Sequence, residues 1–281
     1  MSTLRQALQS AQRRLKELPY SSPELEAALL LCHLLGKPRS YLFAWPEREL
    51  TESQECAYHD LIKRRREGTP IAYITGEREF WSLELQVTPE TLIPRPETEL
   101  AVERGLFHLQ TQQKPSIADL GTGSGAIALA LCSERPDARI DATDNSSQAL
   151  EVARNNAARL GFQQVEFYLG DWCQALPKHR HYDLIISNPP YIESNDPHLS
   201  QGDLPSEPVS ALASGPDGLR DIRAIIQQAP SHLKPGGWLV LEHGYQQAGA
   251  VTQLLQSAGL VDISTLNDLA DNPRISEACL D

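Results

Sequence analysis

The 281-residue chain lacks long apolar runs, paired cysteines and an excess of positive charge. Its longest apolar stretch near the N-terminus, Ala27 to Cys32, is far too short to cross a bilayer. Residues 1–20 interrupt their apolar positions with Arg5, Arg13, Arg14, Lys16 and Glu17, so no signal-peptide core is expected there. The five cysteines (Cys32, Cys56, Cys132, Cys173 and Cys279) are scattered, odd in number and without a C-x-x-C pair. That argues against a disulfide framework or a cysteine zinc site and for a reducing, cytoplasmic setting with no membrane partner. The spacings of histidine, cysteine and carboxylate residues suggest no metal site. Internal repeats and low-complexity tracts are also missing.

Charge is unevenly spread. Residues 1–70 hold 11 Lys/Arg against 9 Asp/Glu, whereas residues 71–281 hold 14 against 28. So acidic a second part would repel a nucleic-acid or polyphosphate partner unless it carried a local basic groove. The run Lys63-Arg64-Arg65-Arg66 reads as solvated surface near a helix end.

What is there falls into three segments. Residues 1–70 read as a small helical domain. Ser22 precedes a proline at the first helical position, Thr51 and Gln54 have capping-box spacing, and Gly36 and Gly68 are stops. Leu25, Ala28, Leu29, Cys32 and Leu35 share one helical face and read as core. Residues 71–96 read as a linker. Phe80 and Trp81 followed by alternating Leu83, Leu85 and Val87 predict a β-hairpin, which Pro89, Pro94 and Pro96 end. Residues 97–281 alternate apolar strands (Ile117–Leu120, Ile140–Thr143, Val165–Leu169, Leu184–Ser187, Trp238–Leu241) with helical stretches such as Ala126–Leu131 and Gln148–Leu160. That alternation predicts a doubly wound, mostly parallel α/β sheet with ligands beyond the carboxyl ends of its strands.

Two constellations carry chemistry. The first runs Asp119-Leu120-Gly121-Thr122-Gly123-Ser124-Gly125-Ala126 between a strand and a helix. Its glycines allow a tight turn and close approach of a ligand to the backbone, but Gly121, Gly123 and Ala126 also satisfy a loose dinucleotide pattern. The carboxylate of Asp119 helps to decide. It is badly placed for a pyrophosphate and suits S-adenosylmethionine, which carries an ammonium and a sulfonium and no phosphate. Asp144 ends the next strand, where an acid can accept from ribose hydroxyls. Asp171-Trp172 follows the third, a carboxylate for the adenine amine beside an aromatic face. The second constellation is Asn188-Pro189-Pro190-Tyr191 at the end of the fourth strand. Neither proline has an N–H, so the backbone displays carbonyls without competing donors. With the Asn188 oxygen and the Tyr191 ring, this predicts a rigid acceptor pocket for a planar NH2 group.

On these two stretches the chain resembles class I methyltransferases acting on the nitrogen of planar amides or exocyclic amines. Further signatures make it similar to the bacterial release factor glutamine methyltransferases, the PrmC/HemK family. They are Ile93-Pro94-Arg95-Pro96-Glu97-Thr98-Glu99, Glu207-Pro208 with Ala211-Leu212, Asp217-Gly218-Leu219 and Leu241-Glu242-His243-Gly244. The resemblance spans essentially the whole chain and implies a seven-stranded sheet. It also implies methyl transfer from S-adenosylmethionine to the side-chain amide of the glutamine in the Gly-Gly-Gln motif of class I peptide chain release factors. Carried onto this sequence, Gly121 to Gly125, Asp144, Trp172 and Asn188 are expected at the cofactor and Asn188 to Tyr191 at the glutamine, with the N-terminal domain helping to grip the release factor. Arg95 and Glu207 are further substrate-binding candidates, although Arg95 equally fits a cap paired with nearby acids. His243 beside Glu242 is expected to satisfy a local hydrogen bond rather than to act as an acid/base pair.

Two alternatives remain at this point. An adenine-N6 nucleic-acid methyltransferase would use the same acceptor pocket on a flipped base. A non-catalytic S-adenosylmethionine-dependent binding protein would use the pocket only to hold a partner's glutamine.

Overall fold

Five helices follow the helical spacing of the first 75 residues in the computed structural model, which describes residues 2–19 and 21–281. They are α1 (Leu4–Leu15), α2 (Pro23–Leu35), α3 (Arg39–Ala44), α4 (Glu52–Arg66) and α5 (Ile71–Thr75). The Thr51/Gln54 capping box starts α4, a second one at Thr3 and Gln6 starts α1, and Gly36 ends α2 in the left-handed region. Leu4, Leu15, Leu30, Leu31 and Ile62 form the core of this unit.

Two sequence expectations need correction here. Leu25 and Leu29 are 41% and 36% exposed, while Glu26, Ala27, Ala28, Leu30 and Leu31 are the buried face of α2. The helix is apolar nearly all round, so spacing alone selects no face. Glu26 selects it, because its carboxylate takes both Nε and Nη2 of Arg65, at 2.9 and 3.1 Å. Arg65 is therefore buried, unlike its exposed neighbours Lys63, Arg64 and Arg66.

Contacts divide the chain after Glu77 rather than at residue 70, since α5 continues the helical unit and buries Ile74 in its core. Ser200–Ser206 also belongs to this unit, with the Asp203 carboxylate 2.6 Å from Nη1 of Arg65.

The second unit comprises Arg78–Leu199 and Glu207–Asp281. The hairpin strands β1 (Glu77–Phe80) and β2 (Leu83–Gln86) turn at Trp81 and Ser82, both at positive φ. Phe80 and Leu85 are buried in the core of the main sheet, and the Asn156 side chain bonds both N and O of Gln86. Residues 78–96 thus belong to the second unit, and the expected β-hairpin packs into it.

The main sheet contains β3 (Ser116–Leu120), β4 (Arg139–Asp144), β5 (Val165–Leu169), β6 (Tyr182–Ser187), β7 (Leu233–Glu242), β8 (Val261–Asn267) and β9 (Pro273–Cys279), in the order β5-β4-β3-β6-β7-β9-β8. Pairings from β5 to β7 are parallel, and β9 runs antiparallel to both β7 and β8. Helices α6 (Glu99–His108), α7 (Ala126–Glu134), α8 (Ser147–Leu160), α9 (Arg220–Gln228) and α10 (Ala248–Ser257) complete the unit. Successive strand residues feed two separate cores. Ile117, Leu184 and Ile186 lie in one, and Ala118, Ile185 and Leu239 in the other, as expected of a sheet covered on both faces. The seven-stranded, doubly wound architecture expected from the sequence is the one observed.

Candidate active site

Strand β3 pairs with β4 on one side and β6 on the other, so the order reverses between β3 and β6. Loops leaving their carboxyl ends must diverge there, which opens a crevice. A cavity of about 310 Å3 occupies it. Its wall contains Gly121 and Gly123 after β3, Asp144 after β4, Asp171 and Trp172 after β5, and Asn188 and Pro190 after β6.

The glycine loop is fastened to the end of β4. Gly121 N and Thr122 N both donate to Thr143 O, at 2.8 and 2.9 Å, and Gly123 N donates to Asp144 Oδ2 at 2.9 Å. Gly121 sits at φ +72°, and a Cβ there would lie 3.0 Å from the Trp172 ring. At Gly123 nothing lies in the way, and the requirement is the left-handed conformation itself.

Behind the loop lies a buried layer that does not line the cavity: Asp119, Thr122, Ser124 and Gly125. Thr122 Oγ1 and Ala128 N donate to Asp119 Oδ2, at 2.6 and 3.1 Å, and Asn156 Nδ2 donates to Ser124 O at 2.9 Å. Asp119 Oδ1 is buried and has no hydrogen-bond partner among the described residues. Burial, reinforced by the nearby Asp144 charge, outweighs those donors and pushes the Asp119 carboxyl up to about 7.

Asp144 is also raised by burial, against donors from Ser146, Gly123 and Asn145. Asp171 is exposed at the rim, and Trp172 adopts a left-handed φ of +47°, which costs about 1–3 kcal/mol for a non-glycine residue. Two acids on the wall beside an open glycine backbone, Asp144 and Asp171, suit a cationic ligand with ribose hydroxyls, while Asp119 lies behind the loop and does not face the cavity. S-Adenosylmethionine meets that description and a polyphosphate does not.

Asn188 lies half-buried on the cavity wall, and its Nδ2 donates to Thr98 Oγ1 at 3.0 Å. No other hydrogen bond to its side chain occurs among the described residues. Pro189 and Pro190 are buried. The Tyr191 ring turns into the fold instead of lining the cavity. Its hydroxyl donates to Glu242 Oε1 at 3.2 Å, and its carbonyl accepts from Gln247 Nε2 at 2.9 Å. Burial pushes the Tyr191 hydroxyl well above its ordinary range, and Glu242 adds to this. Glu242 is 1% exposed, and burial likewise pushes its carboxyl up to about 7.

Arg95 and Glu207 are brought together, but on each other. They form an ion pair, and Glu207 Oε2 also accepts from Ile93 N at 3.1 Å. Neither lines the cavity, though their neighbours Leu92 and Pro208 do. His243 Nε2 lies 2.8 Å from Ser276 Oγ and its Nδ1 2.9 Å from Gly244 O, and burial lowers its pKa, so the ring serves locally as a neutral group. Among the described residues, no three His, Cys, Asp or Glu side chains are grouped to hold a metal ion.

Reading the sequence for motifs did not single out Thr98, Gln247 or Asn156 as parts of this site. Thr98 lies inside the Ile93–Glu99 signature, where its role is invisible without Asn188 beside it. Gln247 and Asn156 carry no local signal at all.

Comparison with known proteins agrees with this architecture. The PrmC N-terminal domain family matches residues 6–76, and the methyltransferase small domain family matches residues 103–202. The catalytic domain of hMettl16, solved in complex with MAT2A 3'UTR hairpin 6, shares the fold at a TM-score of 0.57 and 16% identity, covering 79% of this chain and 82% of that one. Much nearer in sequence is the release factor glutamine methyltransferase of Coxiella burnetii, 49% identical over 278 residues, 99% of each chain. The Vibrio cholerae protein of the same name is 48% identical over 274 residues, 98% of this chain and 96% of that one. The chain belongs to the release factor glutamine methyltransferase family.

Proposed function

We propose that this protein methylates the N5 side-chain nitrogen of the glutamine in the Gly-Gly-Gln motif of class I peptide chain release factors. One observation carries the reading: Asn188 stands on the wall of the glycine-loop cavity with its NH2 committed to Thr98, so the carboxamide oxygen remains for a planar NH2 donor.

Bound S-adenosylmethionine supplies an electrophilic methyl carbon. Gly121, Gly123, Asp144, Asp171 and Trp172 would hold it. An amide nitrogen is a poor nucleophile because its lone pair is delocalised into the carbonyl. Asn188 Oδ1 and the Pro189 carbonyl would accept its two hydrogens and favour positive charge building on nitrogen, an electrostatic effect worth most in the transition state. The proton leaves after transfer, when it is acidic, so no ionised general base is needed. Arg95 and Glu207 brace the rim by joining the segments that carry Leu92 and Pro208.

The helical unit would grip the release factor. Phe43 and Trp45, 76% and 60% exposed, supply apolar surface for that purpose.

Incubation with methyl-labelled cofactor and a release factor, read by mass spectrometry of the Gly-Gly-Gln peptide, tests the reading. Label on the glutamine that falls by orders of magnitude in Asn188→Ala supports it. Label on nucleic acid, or none anywhere, overturns it.

A further inference from the structure

A side-chain carboxamide can turn by 180° and exchange its oxygen for its NH2, and only one of those faces can accept a substrate hydrogen. In this fold the choice at Asn188 is made by a neighbour. Asn188 Nδ2 lies 3.0 Å from Thr98 Oγ1, and Thr98 is only 4% exposed, so water does not compete freely for that oxygen.

The Thr98 hydroxyl has one proton and two lone pairs. Beside it lies the buried Glu242 carboxyl, whose Oε1 takes the Tyr191 hydroxyl and whose Oε2 has no hydrogen-bond partner among the described residues. Burial raises this carboxyl, while the neighbouring Thr98 and Tyr191 hydroxyls and the Arg274 charge favour its charged form and Glu97 opposes it. A Thr98 hydroxyl turned towards this carboxyl offers only lone pairs to Asn188, the arrangement in which Asn188 Nδ2 donates to it. Those lone pairs can be satisfied by the NH2 face and not by the oxygen.

We propose that Thr98 is the positioning residue that turns the Asn188 carboxamide oxygen towards the substrate, with Glu242 fixing the direction of the Thr98 hydroxyl. The inference rests on Asn188 Oδ1 being the acceptor for the glutamine amide. It also explains why both ends of the Asn-Pro-Pro-Tyr loop converge on one carboxylate: Asn188 through Thr98, and Tyr191 directly.

The experiment uses the full chain, a release factor substrate and S-adenosylmethionine, and compares Asn188→Ala, Thr98→Val, Thr98→Ser and Glu242→Gln. Valine keeps the shape of threonine and removes the acceptor. It should lower kcat on the order of 100-fold, the scale of losing one preorganised polar contact to the reacting group, with cofactor affinity little changed. Thr98→Ser should restore most of the turnover. Glu242→Gln can present a donor to Thr98, release its lone-pair polarity and so lower kcat without weakening the cofactor. Should Thr98→Val fail to fold, Glu242→Gln with Thr98→Ser carries the same comparison.

The proposal is overturned if Thr98→Val, or Glu242→Gln in its place, turns over normally while Asn188→Ala is crippled. It is equally overturned if the kcat loss is matched by lost cofactor binding or is not repaired by serine. Normal turnover in Asn188→Ala would instead sink the underlying reading of the acceptor.

Discussion

Gly218 packs directly on the backbone of Tyr191: a Cβ at Gly218 would overlap the Tyr191 carbonyl oxygen and come within 2.7 Å of Gln247 Nε2, which bonds that same oxygen. Gly218 also sits at φ +68°, so alanine is disfavoured by conformation as well as by space.

Gly218→Ala should therefore displace the Asn-Pro-Pro-Tyr loop without touching the cofactor side of the cavity. A shift approaching 1 Å at a reacting centre is worth about 100-fold in rate. Steady-state kinetics should show kcat falling by roughly that factor, while equilibrium binding of the cofactor stays close to normal. Unchanged kcat would show that the loop tolerates the displacement.

Asp144 offers the complementary test. Its carboxylate faces the cavity and holds Gly123 N and Ser146 N, each at 2.9 Å. Asp144→Ala should weaken S-adenosylmethionine binding by about 10- to 100-fold in calorimetry, the scale of losing charge-assisted hydrogen bonds. Wild-type affinity would remove Asp144 from the cofactor site.

Asp119 makes stability depend on pH in a definite direction. Burial places its folded pKa at about 7, above the ordinary carboxylate value. Well below pH 4 both folded and unfolded states hold the proton; well above pH 7 both are ionised and only the folded state bears the cost of a buried charge. Stability of the cofactor-free protein should thus fall as pH rises from about 4 to about 7. Glu242, also pushed to about 7, adds to the trend. Thermal melts of Asp119→Asn should show a shallower decline and a higher Tm than wild type at pH 8. An unaltered slope would contradict the assignment.

Glu277 acts in the opposite sense. Burial alone would raise it, but His108, Arg104 and Ser264 prevail and hold it at about 2. This contribution is present above the unfolded value and is lost as pH falls from about 4.5 to about 2. Glu277→Gln leaves Arg104, whose Nε and Nη2 lie 2.9 and 2.8 Å from the carboxylate, without its counter-charge. Urea unfolding should show a loss of about 3 kcal/mol. A loss below about 0.5 kcal/mol would mean that the network is held by packing alone.

Arg95 separates a brace from a substrate contact. Arg95→Met removes the Arg95 charge from beside the buried Glu207 carboxylate. A stability loss of about 3 kcal/mol is expected, read as several degrees in Tm. An unchanged Tm with a rise confined to KM for the release factor would return Arg95 to the substrate.

The parts legible in the sequence were those with local causes. Strands buried on both faces must be continuously apolar, as Leu184–Ile186 are. The glycine loop needs left-handed backbone, and the paired prolines of Asn188–Tyr191 remove donors wherever they lie. The C-terminal strands were harder to read. β8 is largely exposed, and β9 buries Ser276 and Glu277, polar residues tolerated only because His243, Arg104 and His108 meet them.

Orientation within the site was settled by the folded chain. Nothing in the order of residues says that Arg95 and Glu207 bind each other, that Asp119 is sealed beneath the glycine loop, or that Thr98 meets Asn188 across 90 positions. Local sequence constrains backbone conformation and burial, because those act between near neighbours. The direction of a buried hydrogen bond depends on partners that only tertiary packing brings within 3 Å, and there the three-dimensional structure decides.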